Sequence, residues 1–261
     1  MEFPRLKNRF AFRVSAPSFI FPAGYAENVD RLGDHVDEVE LLLLESRPEA
    51  FPPPAVIAEL RRLAGTLHIT YNVHLPTDID PAAPDGAVRL SAVQRIETAL
   101  ALAAPLEATT CTLHLPFGSA HRFHGVAAWQ ARAVQSLELL VSRSKIAPCR
   151  ISLETLDYPP QWLTPILAAL PCSICLDVGH VLNAGQDLKT VLDELAPRIS
   201  ILHVHGVADG TDHLSLDRLP PAAWATLQPF LAGFRGSVSL EVFSAARLRE
   251  SMICLNRHMA G

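Results

Sequence analysis

Six short runs of this chain end in side chains that can bind a metal ion or move a proton. His74 stands in NVHLP, His114 in TLHLP, Glu154 in SLET, Asp177 and His180 in LDVGH, His203 and His205 in LHVHG, and Glu241 in SLEV. Imidazole and carboxylate together suit zinc, manganese, cobalt or iron, and carboxylates crowded into one volume repel unless a cation holds them. A lone histidine at a strand end is more often a hydrogen-bonded structural group than a ligand. An inward carboxylate on a buried strand is different, because it is costly unless paired. His203 and His205 share a face, only one need bind, and His203 is preferred. Asp212 and His213, in GTDHLSL, are either a helix cap and a surface imidazole or members of the same rim; the second is expected. His35, His121, His124 and His258 are expected at the surface. Glu45 closes an apolar run, and whether it reaches the rim is left open.

These residues need elements that bring them to one place. Strand-type runs fall at residues 10–15, 38–45, 68–75, 109–115, 150–155, 173–178, 199–205 and 237–243. Helical signals lie between them, among others at 55–64, 91–103, 126–142, 188–195 and 221–231, with Pro220 and Pro221 suiting a start and Pro197 a stop. Strand and helix in alternation, eight times, predict an α/β chain: a single-domain (β/α)8 barrel over residues 1–261. The strand parity agrees. Tyr71, Val73, Leu75, Leu153, Ile174, Leu176, Val238 and Leu240 share the face suited to helices, while Asn72, His74, Thr112, His114, Ser152, Glu154, Cys175, Asp177, Ser239 and Glu241 share the other. An open sheet covered on both faces would instead show near-continuous apolar runs.

Composition bounds the partners. With 49% hydrophobic and 19% charged residues the chain has material for a large core, and its net charge of −5 carries no basic cluster to neutralise a long nucleic acid. The N-terminus lacks the uninterrupted apolar core of a signal peptide and no later stretch approaches the length of a membrane span, so a cytoplasmic location without membrane contact is the default expectation. Five cysteines without framework spacing suit reduced thiols. Cys172 and Cys175, three apart on a strand, point to opposite faces and are expected to be packing thiols.

The strand order of these residues is similar to that of the xylose-isomerase-like barrel superfamily, which includes endonuclease IV-type enzymes and sugar isomerases and epimerases. The resemblance spans nearly the whole chain. In the endonuclease branch it implies one zinc held by His74, His114 and Glu154, and a second held by Glu154, Asp177, His203 and Glu241. It implies a third at His180 with an Asp-x-His from the strand-seven loop. Here Thr211-Asp212-His213 departs from that spacing and puts the third ion in question. The segments Pro17-Ser18-Phe19-Ile20, VELLLLES, LHVHGV and DHLSL further resemble a narrower branch, the cobamide-remodelling phosphodiesterases. That branch cuts the nucleotide loop of vitamin B12-type corrinoid cofactors.

Two functions follow as expectations. The first is phosphodiester hydrolysis of a small-molecule substrate, a cobamide, assisted by two or more divalent ions, with Glu154 bridging and His180 and His213 catalytic at the phosphate or a further ion. The loops 76–86 and 116–125 would shape the cavity. The second is sugar isomerisation or epimerisation at one ion held by Glu154, Asp177, His203 and Glu241, with two of the carboxylates as acid and base. His74 and His114, which complete a separate three-ligand set with Glu154, favour the first. A non-catalytic binding barrel would have lost ligands, and only the Asp is shifted.

Overall fold

The computed structural model describes residues 2–259. Eight strands pair in parallel: β1 (Arg13–Pro17), β2 (Glu38–Leu42), β3 (Thr70–His74), β4 (Cys111–Leu113), β5 (Ile151–Glu154), β6 (Ser173–Asp177), β7 (Ile199–His203) and β10 (Ser237–Ser239). They close into a barrel in the order β1-β10-β7-β6-β5-β4-β3-β2. Between β7 and β10 the chain forms an antiparallel hairpin of β8 (Gly206–Ala208) and β9 (Thr211–Leu214), where the sequence suggests only a loop. The first strand sits a few residues later than expected. The strands also end early: Glu241 lies two residues past β10, His205 two past β7 and His114 one past β4. Those side chains therefore rise above the barrel rim.

The large helices surround this barrel. They are α1 (Tyr25–Leu32), α2 (Pro54–Leu67), α3 (Gly86–Ala103), α5 (Val126–Ser144), α8 (Leu188–Leu195), α9 (Pro221–Gly233) and α10 (Ala245–Met259). Three six-residue helices, α4 (Ser119–His124), α6 (Thr164–Ala169) and α7 (Val178–Asn183), lie on the connections. Starts are locally encoded: the Asp85 and Asp187 side chains accept from the first-turn amides of α3 and α8, and α2 and α9 begin at proline. Tyr71, Val73, Leu153, Ile174, Leu176, Val238 and Leu240, on the outer strand face, are buried in one continuous apolar cluster.

The barrel axis is polar. Low in it, buried Glu38 accepts from Thr70 (2.9 Å), Thr109 (2.7 Å), Asn72 (2.8 Å) and Arg13 (3.2 Å), so four donors compensate one carboxylate. Cys172 and Cys175 are free and buried, and burial pushes the Cys172 thiol up to about 12, far from the thiolate a redox pair needs.

Candidate metal centre

Above the axis, the barrel converges on Glu154. Its Oε2 lies 3.1 Å from His74 Nε2 and 2.8 Å from His114 Nε2. Its Oε1 faces the other way, 3.5 Å from His203 Nδ1 and 3.7 Å from His180 Nδ1. One buried carboxylate thus presents each oxygen to a different pair of imidazoles. The neighbouring residues are fixed by local structure. The Asp177 carboxylate caps α7, accepting the His180 amide at 2.7 Å, and the Asp177 amide donates to Thr155 Oγ1 at 3.0 Å. His74 Nδ1 lies 3.0 Å from the Leu75 carbonyl and His180 Nδ1 3.0 Å from that of Thr155. With Nδ1 engaged by backbone, His74 presents Nε2 to Glu154, while His180 presents its Nε2 to Asp212, 3.9 Å away on the rim.

His203 is held the same way by a carboxylate that the sequence pattern conceals. Glu40, fully buried on β2, lies 3.0 Å from His203 Nε2 and accepts from Ser239 Oγ at 2.5 Å. Burial alone would raise the Glu40 carboxyl, but His203 outweighs it and lowers it, so the pair is charge-assisted. The signal is present as the alternation of Glu38 and Glu40 around VELLLLES, hidden by the four leucines after it. With Nε2 committed to Glu40, His203 Nδ1 is turned inward to within 3.1 Å of Glu241 Oε2, and neither buried atom has a hydrogen-bond partner. A ring nitrogen and a carboxylate oxygen that face each other, both buried and neither hydrogen-bonded, become a donor set for a cation once the nitrogen gives up its proton. The residues present therefore fit divalent metal: His74, Glu154 and His203 offer atoms within 4.8 Å of one another, as do Glu154, Asp177, His203 and Glu241.

An outer cluster stands higher on the rim. His180, Asp212 and His213 converge within the same 4.8 Å limit, and their side chains are 22%, 38% and 24% exposed. Adjacent residues on a strand point to opposite faces, which is why an Asp next to its His departs from the family spacing. His213 escapes that alternation by adopting φ 49°, in the left-handed region, and its Nδ1 lies 3.1 Å from the Glu241 carbonyl. The departure is thereby absorbed in the backbone. A cleft lined by Leu156, Asp157, His180, Asn183, Ala184 and Asp212 opens beside the cluster.

His205 is also in this assembly, though His203 is the one beside Glu154. Its buried ring lies 3.3 Å from Asp177 and within the common limit of His213 and Glu241. Gly179 makes this possible, since a Cβ there would fall 2.0 Å from His205 Cε1. His121, expected at the surface, is instead buried with Nε2 2.8 Å from Asp80 Oδ2, because Asp80 on the preceding loop folds over it. Glu45 is exposed and paired with Arg47 at 2.6 Å, so it does not join the cluster. His35 and His258 are half-buried and His124 is exposed.

The buried charges set a pH dependence for the metal-free protein. Burial would lower His74 and His205, but the carboxylates of Glu154 and Asp177 respectively outweigh it and raise each from 6.5 to about 9. Burial would raise Asp177, yet His205 and His180 bring it below its ordinary 3.8. The histidine contribution to stability is thus complete below pH 6.5 and lost as pH rises through about 9. The Asp177 contribution is complete above 3.8 and lost only as pH falls through its depressed value. With chelator present, the melting temperature should fall steadily from pH 6.5 to 9; a flat or rising profile would contradict these ion pairs.

The fold and rim define a class, a (β/α)8 barrel with imidazoles and carboxylates gathered at the C-terminal ends of its strands. Residues 27–258 match the family model of the xylose isomerase-like TIM barrel, and the chain belongs to that family. It is similar in structure to a D-tagatose 3-epimerase-like protein, at 19% identity over 95% of this chain and 97% of that one, with a TM-score of 0.80. D-psicose 3-epimerase from Clostridium cellulolyticum is 16% identical over 95% and 99% of the two chains, with a TM-score of 0.74. Endonuclease IV from Thermus thermophilus is 18% identical over 95% and 97%, with a TM-score of 0.67. At these identities the likeness shows the fold alone. The chain has no match among curated protein sequences. Among the described residues, no helix is long and apolar enough to cross a membrane.

Proposed function

We propose that this protein is a metal-dependent phosphodiesterase that hydrolyses the nucleotide loop of cobamides. The observation that carries the reading is the two-sided use of Glu154, with Oε2 beside His74 and His114 and Oε1 beside His203 and His180. In the isomerase reading, with one ion at Glu154, Asp177, His203 and Glu241, His74 and His114 would contact substrate hydroxyls instead of metal, although both face the same Glu154 oxygen. Bound at these residues, two or more divalent ions would supply a water of lowered pKa and neutralise charge at phosphorus.

The chain's own groups divide the remaining work. Glu154, Asp177, His203 and Glu241 form the buried floor, which Glu40 keeps in register through His203. His114, His180 and His213 are partly exposed above it, where an approaching phosphate would accept hydrogen bonds from their ring nitrogens. His213 is carried on the hairpin β8–β9. A net charge of −5 without a basic cluster argues for a compact phosphodiester in a small molecule and against a long nucleic acid.

The epimerase reading keeps one specific support, the convergence of Glu154, Asp177, His203 and Glu241 on a single point. The two differ in product. Incubation with a complete cobamide should release the nucleoside carrying the lower ligand, while abasic-site DNA stays uncut and ketohexoses are recovered unchanged. Nicked DNA or epimerised sugar, with the cobamide whole, would overturn the assignment.

A further inference from the structure

The candidate ligand sets at the rim contain four carboxylates, those of Glu154, Asp177, Asp212 and Glu241. Two divalent ions held there would balance these charges and leave no surplus for the negative charge that a phosphodiester brings. A cation from the chain would supply it, and one basic side chain is fastened to the rim. Arg247, in the opening turn of α10, donates from Nη1 to the carbonyl of His213 at 3.0 Å.

Both ends of that contact are fixed. The Arg247 amide donates to Ser244 Oγ at 3.3 Å, and the next residue, Leu248, is fully buried. His213 donates its amide to His205 Nδ1 at 3.0 Å, and its own ring Nδ1 lies 3.1 Å from the Glu241 carbonyl. The guanidinium therefore bridges the hairpin that follows β7 and the helix that follows β10, the seventh and eighth strands of the barrel. The loops after those two strands are where (β/α)8 barrels frequently hold phosphate.

Most of the Arg247 guanidinium remains available. A guanidinium has five N–H donors, and the His213 carbonyl occupies one. The nearby carboxylates pair with histidines instead, Asp212 with His180 and His213, and Glu241 with His203 and His213. Among the described residues no carboxylate pairs with Arg247, whereas Arg47, on the loop after β2, is taken by Glu45 at 2.6 Å. An unpaired surface arginine is ordinary. One tethered to His213, whose ring stands in a candidate ligand set, is placed to act there.

We propose that Arg247 is the anion clamp of this site: its free N–H groups take the non-bridging oxygens of the phosphodiester beside the metal centre and select that group over a neutral sugar. The inference rests on the phosphodiesterase reading and deepens it. A guanidinium fits a phosphate bidentately. A ketose carries no such charge, and a long nucleic acid would need a cation at each of several phosphates.

Inorganic phosphate is the probe, with binding read by calorimetry on full-length protein purified without chelator. Arg247→Met should bind it about 10–100-fold more weakly than the parent, the loss of a hydrogen bond to a charged group. Arg249→Met is the control, because Arg249 lies on the same helix but donates to the Glu2 carbonyl at 3.1 Å. It removes the same charge and should bind phosphate as the parent does. Both variants should hold as many divalent ions as the parent and melt like it, since both side chains are exposed. Equal phosphate affinity in Arg247→Met and the parent, equal losses in the two variants, a lower ion count in Arg247→Met, or no phosphate binding by the parent would overturn the clamp. With a complete cobamide, Arg247→Met should raise KM more than it lowers kcat. If it cuts the cobamide with unchanged KM and kcat, the clamp fails while the phosphodiesterase reading stands. If the parent binds phosphate through Arg247 but cuts no cobamide, the clamp stands and the reaction fails.

Discussion

Glu154→Gln is expected to lower turnover by more than the ~10–100-fold typical of losing an outer ligand partner, while the protein still folds. The substitution keeps the shape of the side chain and removes its charge. It converts one oxygen of a two-sided carboxylate into an amide nitrogen that can neither ligate a cation nor carry negative charge toward the imidazoles it faces, either His74 and His114 or His203 and His180. Burial pushes the Glu154 carboxyl up, but His114 and His203 outweigh it and hold it well below its ordinary value, so the charge is present throughout the physiological range. Paired turnover and melting curves give the test. Near-parental activity in a folded variant would remove Glu154 from the centre of the account.

Gly179→Ala should have a large effect for a steric reason. The added methyl would meet His205 Cε1 at 2.0 Å and both ring nitrogens at 2.7 Å, and His205 is fully buried against Asp177. Overpacking of this kind costs about 1–3 kcal/mol and pushes the ring away from Asp177. The double variant with His205→Ala separates the two consequences. Removing the ring makes room for the methyl, so stability should recover relative to Gly179→Ala, a non-additive result expected of residues in contact. Activity should not recover if His205 serves the site. Additive stability losses would mean that Gly179 matters for some reason other than clearance.

The parts of the fold that were legible in the sequence share a physical cause. On β3, β5, β6 and β10 the inward and outward positions alternate between polar and apolar, and that period located His74, Glu154, Asp177 and Glu241 at the rim. On β2 the same period is overwritten by leucines on both faces, because Leu41 meets the helices while Leu42 is buried beside His74 in the strand register. Glu40 was therefore invisible as an inward residue. Asp212 and His213 were placed by their position just after the seventh strand, but their arrangement depends on the hairpin β8–β9 and on one left-handed residue, which no periodicity announces. The burial of His121 depends on Asp80, 41 positions earlier, and belongs to tertiary contact alone.

The most direct test of the central claim is the number of divalent ions per chain, counted on protein purified without chelator, beside the same count on His74→Ala. The two-sided Glu154 predicts two or more ions in the parent and fewer in the variant, because His74 belongs to the set it forms with Glu154 and His203 and not to the set of Glu154, Asp177, His203 and Glu241. One ion per chain in both proteins would contradict the shared carboxylate and leave the single cluster of Glu154, Asp177, His203 and Glu241, the arrangement that the isomerase chemistry requires.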